Sequence, residues 1–487
     1  MSTEILINVT PMETRVAFVD NGTLEEIHLE RSLKRGIVGN IYKGQVIRVL
    51  PGMQAAFIDI GLERAAFIHV AELTDQNSEH PQEQDITKLI KEGQSLVVQV
   101  TKDPIGTKGA RLTTQLSLPS HYLVYMPQTM HIGVSLRIED EIERERLKQA
   151  ITESITINGQ IEQGGFIVRT VAEGIAKEEL LTDIAYLRKL WLQVKESINR
   201  ASISSLVYED LPLSLRTLRD FLTADIYKLY VDSMETYQKA KLFLAEFMPE
   251  LVDKLKPYQN DSPLFDMYGI EQELQKALDR KVILKSGGYL VIDQTEAMTT
   301  IDVNTGGFVG HKNLEETIYK TNLEATSIIA RQLRLRNLGG IIIIDFIDME
   351  QEEHKQQVLQ TLNKELEKDH AKTNVLGFTA LGLVQLTRKR TRESLEQTLC
   401  EPCFQCHGKG TLKTTETICY EILREIIRVA RAYPSNKYRV LANQKIVDRL
   451  LDEESSNVAD LETFIGKTIS FQIENIYSQD QYDVVPQ

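Results

Sequence analysis

The chain has 487 residues, 42% hydrophobic and 26% charged, with 27 Gly and 13 Pro. Those proportions exclude collagen-like, low-complexity and wholly disordered classes, and at about 100–200 residues per domain they predict about three domains. A net charge of −14 argues against a protein that coats nucleic acid through bulk charge, but leaves room for a local basic groove or a metal-mediated contact. The opening residues lack the basic and apolar regions of a signal peptide, and no apolar run approaches the ~18 residues of a membrane span. Four cysteines, three of them within 400–406, cannot form a disulfide framework, so a reducing, cytoplasmic setting is expected.

Residues 1–35 alternate in strand fashion, and Asn21-Gly22 predicts a hairpin turn. From 36 to 118 the pattern stays β, with strands predicted at 41–50, 54–60, 65–69 and 95–102 and a polar loop at 74–87. So many short strands in about eighty residues suggest a small barrel of the OB type. Residues 119–212 mix helices (139–155, 178–200) with a strand at 166–170. Pro212 and Pro257 bracket two further helical stretches. From 271 to 399 strands and helices alternate. The four isoleucines Ile341, Ile342, Ile343 and Ile344 predict a strand covered on both faces. After the cysteines, 417–432 is an amphipathic helix, and a small α+β tail closes the chain.

Three groups of residues can carry chemistry. Asp302 and Asn304 are two apart, so they share one strand face, while Asp345 leaves the isoleucine strand at its carboxyl end, where ligand sites in α/β sheets collect. Carboxylates converging there repel unless a cation lies between them, and all-oxygen ligands select magnesium or manganese over zinc. The competing reading is that each Asp caps a turn. Phe57 and Phe67 lie on barrel strands near Lys43, Arg48, Arg64 and Lys108, as a single-strand stacking platform would have them. Residue type alone favours core positions for both. Cys403-x-x-Cys406-x-Gly408-x-Gly410 is a tight metal knuckle suited to zinc. Its rivals are haem attachment, which needs export, and a disulfide, which the compartment disfavours. A four-ligand zinc site then needs either a second chain or Cys400 and His407. Two basic runs, Arg331–Arg336 and Arg388–Arg392, fit either a phosphate-binding surface or solvated helix faces.

Thr300-Ile301-Asp302-Val303-Asn304-Thr305-Gly306, Leu338-Gly339-Gly340 through Asp345-Phe346-Ile347-Asp348-Met349 and the cysteine knuckle together resemble the ribonuclease E/G family. The likeness extends to Val38-Gly39-Asn40-Ile41-Tyr42-Lys43-Gly44, Gly165-Phe166-Ile167-Val168-Arg169-Thr170 and 331–345, and so runs over essentially the whole chain. One departure is visible: the family's Cys-Pro-x-Cys stands here as Cys403-Phe404-Gln405-Cys406, preceded by Cys400.

The resemblance implies an endoribonuclease that cuts single-stranded A/U-rich RNA, prefers a 5′-monophosphate, and leaves 5′-phosphate and 3′-hydroxyl ends. It implies magnesium on Asp302 and Asp345 with Asn304 alongside, and a 5′-monophosphate pocket at Arg169 and Thr170. RNA contacts at Phe57, Phe67 and Lys108 follow, as does a zinc link through Cys403 and Cys406 shared between two protomers. The implied architecture is an RNase H-like subdomain in two parts (1–35 and 213–278), an OB-type RNA-binding barrel (36–118) and a 5′-monophosphate sensor (119–212). A DNase I-like catalytic subdomain (279–399), the zinc link (400–415) and a small α+β C-terminal domain (416–487) follow. Ribosomal RNA precursors, transfer RNA and messenger RNA are the implied substrates, and a homodimer or tetramer the implied assembly, with no membrane partner. A non-catalytic RNA-binding factor would explain the aromatics but not the carboxylates. A nuclease acting on DNA differs only in lacking 2′-hydroxyl contacts.

Overall fold

Residues 3–73, 85–104, 108–157, 160–161, 164–223, 225–306, 314–390, 392–406 and 408–487 are described by the structure, a computed structural model. The chain divides into two units, Met1–Thr398 and Leu399–Gln487. Among the described residues no helix is long and apolar enough to cross a membrane.

In the first unit the N-terminal strands Thr3–Val9, Glu13–Asp20 and Thr23–Arg31 form an antiparallel meander. Asn21 and Gly22 take positive φ (49° and 78°) between paired Asp20 and Thr23, the backbone a two-residue hairpin demands. The first strand also pairs in parallel with Ile226–Val231, which continues to Leu255–Pro257. The two bracketed helices are there, at Leu213–Phe221 and Met234–Phe247, but this strand runs between them. It escapes sequence reading because its buried positions, Ile226, Leu229 and Val231, keep no strict alternation.

The barrel strands are Ile41–Leu50, Ala55–Asp59, Ala66–His69, Ser95–Lys102 and Arg111–Thr113. Pairing of Ile41–Leu50 with both Ala55–Asp59 and Ser95–Lys102 closes the sheet on itself, around Val46, Ile58, Ile68, Val98 and Leu112. Gly44 permits that closure, since a Cβ there would meet Ile58 Cγ2 at 2.6 Å. Residues 74–84 of the expected loop lie outside the described residues, and its end instead begins a helical turn, Ile86–Leu89, capped by the Asp85 carboxylate. Beyond the barrel, a four-stranded sheet that includes Leu123–Met126 and Gly165–Val168 packs against the helices Glu141–Ile155 and Lys177–Arg200.

A six-stranded sheet follows, ordered Lys281–Ile283, Tyr289–Gln294, Met298–Asn304, Gly340–Asp345, Leu383–Arg388, Thr373–Phe378. Its one parallel pair joins Met298–Asn304 to Gly340–Asp345 through the crossover helix Leu314–Leu335. That helix and Glu352–Leu366 pack on the face that presents Ile301, Val303, Ile342 and Ile344. The isoleucine strand is therefore not covered on both faces: Ile341 is 49% exposed and Asp345 exposed. A sheet that is antiparallel apart from one crossover covers one face with helices and leaves the other open.

In the second unit the strands Lys437–Ala442, Thr468–Ile473 and Tyr482–Pro486 form one sheet. The helices Thr415–Ala432, Gln444–Leu451 and Ser455–Ile465 pack against it, burying Ile418, Cys419, Ile422 and Val440.

Candidate active site and RNA interface

Along Met298–Asn304 the residues Thr299, Ile301 and Val303 are buried, so the period of two turns Asp302 and Asn304 to the open face. The same face of Gly340–Asp345 carries Ile341, Ile343 and Asp345. The parallel register makes Asp302 and Asp345 direct cross-strand neighbours. Sequence spacing could not show this adjacency, and it favours a cation site over two unrelated turn caps. Asn304 Nδ2 donates to Asp302 Oδ2 at 2.8 Å, orienting the carboxylate without adding charge. Partial burial, Asp302 and Asp348 together push the Asp345 carboxyl above its ordinary value. Proton affinity raised by neighbouring anions marks a place where a cation is favoured. Among the described residues no group of three or more His, Cys, Asp or Glu converges on a metal position. Two carboxylates suffice for magnesium, which keeps several waters and takes substrate phosphate oxygens as further ligands.

Phe57 and Phe67 are cross-strand partners with ring centroids 6.1 Å apart in an edge-to-face pair. Both are half-buried on the outside of the barrel, while Ala56, Ile58, Ala66 and Ile68 fill its core. The expectation from residue type, that both rings are core, fails because the Ala-Ala-Phe-Ile pattern puts apolar residues on both faces and leaves the phase undetermined. Lys108 and Arg48 are exposed, and Arg48 stands opposite Phe57 in register. Lys43 has a different job: its ammonium donates to the carbonyls of Ile198 (3.4 Å) and Ala201 (3.0 Å), at the end of the helix Lys177–Arg200.

Arg169 leaves the strand Gly165–Val168 with one guanidinium nitrogen on the Ser120 carbonyl (2.6 Å) and 2.9 Å from Asp220 Oδ1. Burial opposes ionisation of Asp220, but Arg219 and Arg169 hold its carboxyl below the ordinary value. Thr170, exposed beside it, shares a 3.1 Å hydrogen bond with the Ser135 hydroxyl.

In the second unit backbone N–H groups of the knuckle point at its two sulfurs. The Gly410 N–H donates to Cys406 Sγ at 3.4 Å, and N–H groups of Cys406 and Gln405 lower the Cys403 thiol below its ordinary value. Amide donors aimed at sulfur suit thiolates that ligate a metal. Cys400 is exposed, and His407, the other internal candidate, lies outside the described residues.

Comparison with known proteins gives the family. The model of the ribonuclease E/G family matches residues 117–391, over half the chain. An S1 RNA binding domain matches 37–112, and the thioredoxin-like domain of RNase E/G proteins matches 402–486. The chain is 56% identical to ribonuclease G of Escherichia coli (strain K12), with all of both chains covered. It is 55% identical to ribonuclease G of Haemophilus influenzae over 99% of each. To ribonuclease E of Escherichia coli it is 35% identical over 94% of this chain and 43% of that one. The chain belongs to the ribonuclease E/G family.

For this family member the structure adds residues that sequence reading passed over. Asn322, fully buried on the crossover helix, donates to the Ile347 carbonyl at 2.8 Å and accepts from the Ile347 N–H at 3.1 Å. It thereby clamps the turn between Asp345 and Asp348. Local sequence carried no clear signal for it, since Thr321 and Thr326 on the same helix are buried too. Several arginines of the two basic runs are used inside the protein, while Lys389 stays exposed. Arg334, Arg336 and Arg388 are buried, and Arg388 makes a two-point contact with Asp369 (2.7 and 3.1 Å). Arg331 donates to the Leu24 carbonyl and to Glu273, Arg334 pairs with Glu25, and Arg392 reaches Glu26 and the Ile27 carbonyl. These arginines fasten the N-terminal sheet to the six-stranded sheet.

Proposed function

We propose that the chain is a magnesium-dependent endoribonuclease that cuts single-stranded A/U-rich RNA. On this reading it prefers a 5′-monophosphate and leaves 5′-phosphate and 3′-hydroxyl ends. The observation that carries the proposal is the cross-strand pair Asp302–Asp345 on an open sheet face, with Asn304 hydrogen-bonded to one member. Family membership and the S1 match supply the substrate class.

Asp302 and Asp345 would hold the ion, which supplies Lewis-acid polarisation of the scissile phosphate and a water acidic enough to attack at neutral pH. Asn304 keeps the Asp302 carboxylate turned toward the open face. Phe57 and Phe67 offer ring faces to unpaired bases, each worth ~1–3 kcal/mol, and Lys108 offers charge to the backbone. Arg169, with Thr170 beside it, presents a planar fork to a terminal phosphate. We read the sheet shared by 1–35 and 213–278 as RNase H-like and 279–399 as DNase I-like. Cys403 and Cys406 are read as half of a zinc site shared with a second copy, making a dimer, with a tetramer open to it. Ribosomal RNA 5′-end maturation, tRNA processing and mRNA decay in the cytoplasm are the corresponding roles.

The test is cleavage of a 5′-monophosphorylated A/U-rich RNA and its DNA counterpart, with and without magnesium, by wild type, Asp302→Asn and Asp345→Asn. Magnesium-dependent cutting of RNA alone is expected, lost in both variants while RNA affinity stays within about tenfold. Near-normal turnover by both variants in saturating magnesium refutes the site. Binding without cutting by wild type leaves an RNA-binding factor, and cutting of DNA a nuclease of the other class.

A further inference from the structure

The open face of the six-stranded sheet carries one register row that runs beyond the carboxylates. Asp345 stands opposite Asp302, Asp302 opposite Val291, and Val291 opposite Lys281 on the edge strand. Buried Leu290 and Ile292 fix the phase of the Tyr289–Gln294 strand, so Tyr289 and Val291 lie on the face of Asp302 and Asn304. Tyr289 is itself opposite Asn304. The Lys281 ammonium sits over the Tyr289 ring, 3.6 Å from its centroid. A ring face attracts a cation, so this contact holds a mobile ammonium on the Asn304 side of the row.

Lys281 contrasts with its neighbour. Arg280 is tied to Asp293 by a two-point ion pair. Lys281 is exposed, and among the described residues no carboxylate pairs with it. At about 4.8 Å per strand, its Cα lies roughly 10 Å from that of Asp302, and its ammonium, over Tyr289, stands above the strand between them. On that reading the scissile phosphate meets the ion on Asp302 and Asp345, but the next phosphate lies beyond it, and in a chain of net charge −14 a cation further along the row offsets its repulsion.

We propose that Lys281, positioned by the Tyr289 ring, binds the phosphodiester next to the one that is cleaved. This makes it a substrate-binding residue that sets where the strand lies across the sheet. The inference rests on Asp302 and Asp345 being the cleavage site, and the test separates the two.

A short RNA cut at one position is prepared with a single uncharged methylphosphonate at each flanking linkage in turn. Cleavage is measured for wild type, Lys281→Gln, Lys281→Arg, Tyr289→Phe and Tyr289→Leu, all checked for folding by circular dichroism. Lys281→Gln should lower kcat/KM about 5- to 20-fold, mainly through KM, as loss of an exposed charge-assisted contact does. One flanking methylphosphonate should penalise wild type by a similar factor and Lys281→Gln no further. Lys281→Arg and Tyr289→Phe should retain most activity, and Tyr289→Leu should lose part of it. Normal kcat/KM in Lys281→Gln, or the same methylphosphonate penalty in it as in wild type, overturns the proposal. Full activity in Tyr289→Leu overturns the positioning role of the ring. Either result alongside dead Asp302→Asn leaves the cleavage site standing, whereas an active Asp302→Asn removes the ground for both.

Discussion

Replacing Asn322 separates the support of the carboxylate site from the site itself. Its side chain is fully buried and makes a reciprocal pair of hydrogen bonds with the Ile347 backbone, at 2.8 and 3.1 Å. Asn322→Leu keeps the volume and strands one N–H and one C=O of a half-buried turn. Each stranded group costs ~1–3 kcal/mol, so a total of ~2–6 kcal/mol is expected if the turn stays in place. The turn can instead move toward water, recovering part of that energy by displacing Asp348 and loosening the end of the strand that carries Asp345. Urea unfolding gives the global cost, and cleavage rates across a magnesium titration give the local one. The expected outcome is a modest stability loss with kcat down at least tenfold and a raised magnesium requirement, while KM for RNA changes little because the barrel is untouched. Asn322→Asp, which keeps an acceptor and loses the donor, should be impaired as well. A well-folded Asn322→Leu protein with normal kcat and normal magnesium dependence would refute the idea that this clamp positions Asp345.

Arg169→Ala should slow cleavage of 5′-monophosphorylated RNA about 10- to 150-fold, toward the 5′-hydroxyl rate, since a charge-assisted contact is worth ~1.5–3 kcal/mol. The fold should survive because Asp220 keeps Arg219, and equal slowing of both substrates would mean a structural role. His28, 2.6 Å from Glu26 and facing Arg392, has its pKa pushed down to about 4 by burial and that guanidinium. A depressed histidine contributes stability that is fully present above pH ~6.5 and lost as pH falls toward 4, at up to ~1.4 kcal/mol per pH unit. Urea midpoints between pH 7 and 4.5 should fall on acidification, and His28→Gln should flatten that slope; an unchanged slope would exclude His28 as its source. Cys403→Ser with Cys406→Ser should lose zinc and shift the protein toward monomer, with half a zinc per chain in wild type. One zinc per chain, or a metal-free dimer, would point to an internal site or to none.

The barrel was the most legible part of the fold. The strands Ile41–Leu50 and Ser95–Lys102 fall on the predicted residues, and in the first the burial of Tyr42, Gly44 and Val46 on one face writes a period of two into the chain. Asp302 and Asn304 sharing a face was legible for the same reason. Their proximity to Asp345 was not: it depends on a parallel crossover through a 22-residue helix, and nothing in either strand names the other as its neighbour. The isoleucine run misled because apolar residue types do not distinguish a face under helices from a face left open. The outward rings of Phe57 and Phe67 were hidden by the apolar alanines and isoleucines alongside them, which fill the other face.

The arginines show a second limit. A dense basic run is read as exposed because an unpaired buried charge is prohibitive, and its partners cannot be seen locally. Here they lie far off in sequence: Arg388 pairs with Asp369 at 19 residues' separation, Arg334 with Glu25 at 309 and Arg392 with Glu26 at 366. Of these only Arg388–Asp369 is buried, and there removing one member leaves the other uncompensated; the pairs that bridge the two sheets, Arg334–Glu25 and Arg392–Glu26, are partly open to water. Their placement bears on the site. Arg388 is the register neighbour of Gly340 and donates to Asn337 Oδ1 (3.1 Å) and the Leu338 carbonyl (2.9 Å), fixing the start of the Asp345 strand. Asn322 fixes the turn at its far end. A strand whose last residue must stay opposite Asp302 is thus held at both ends by buried polar side chains.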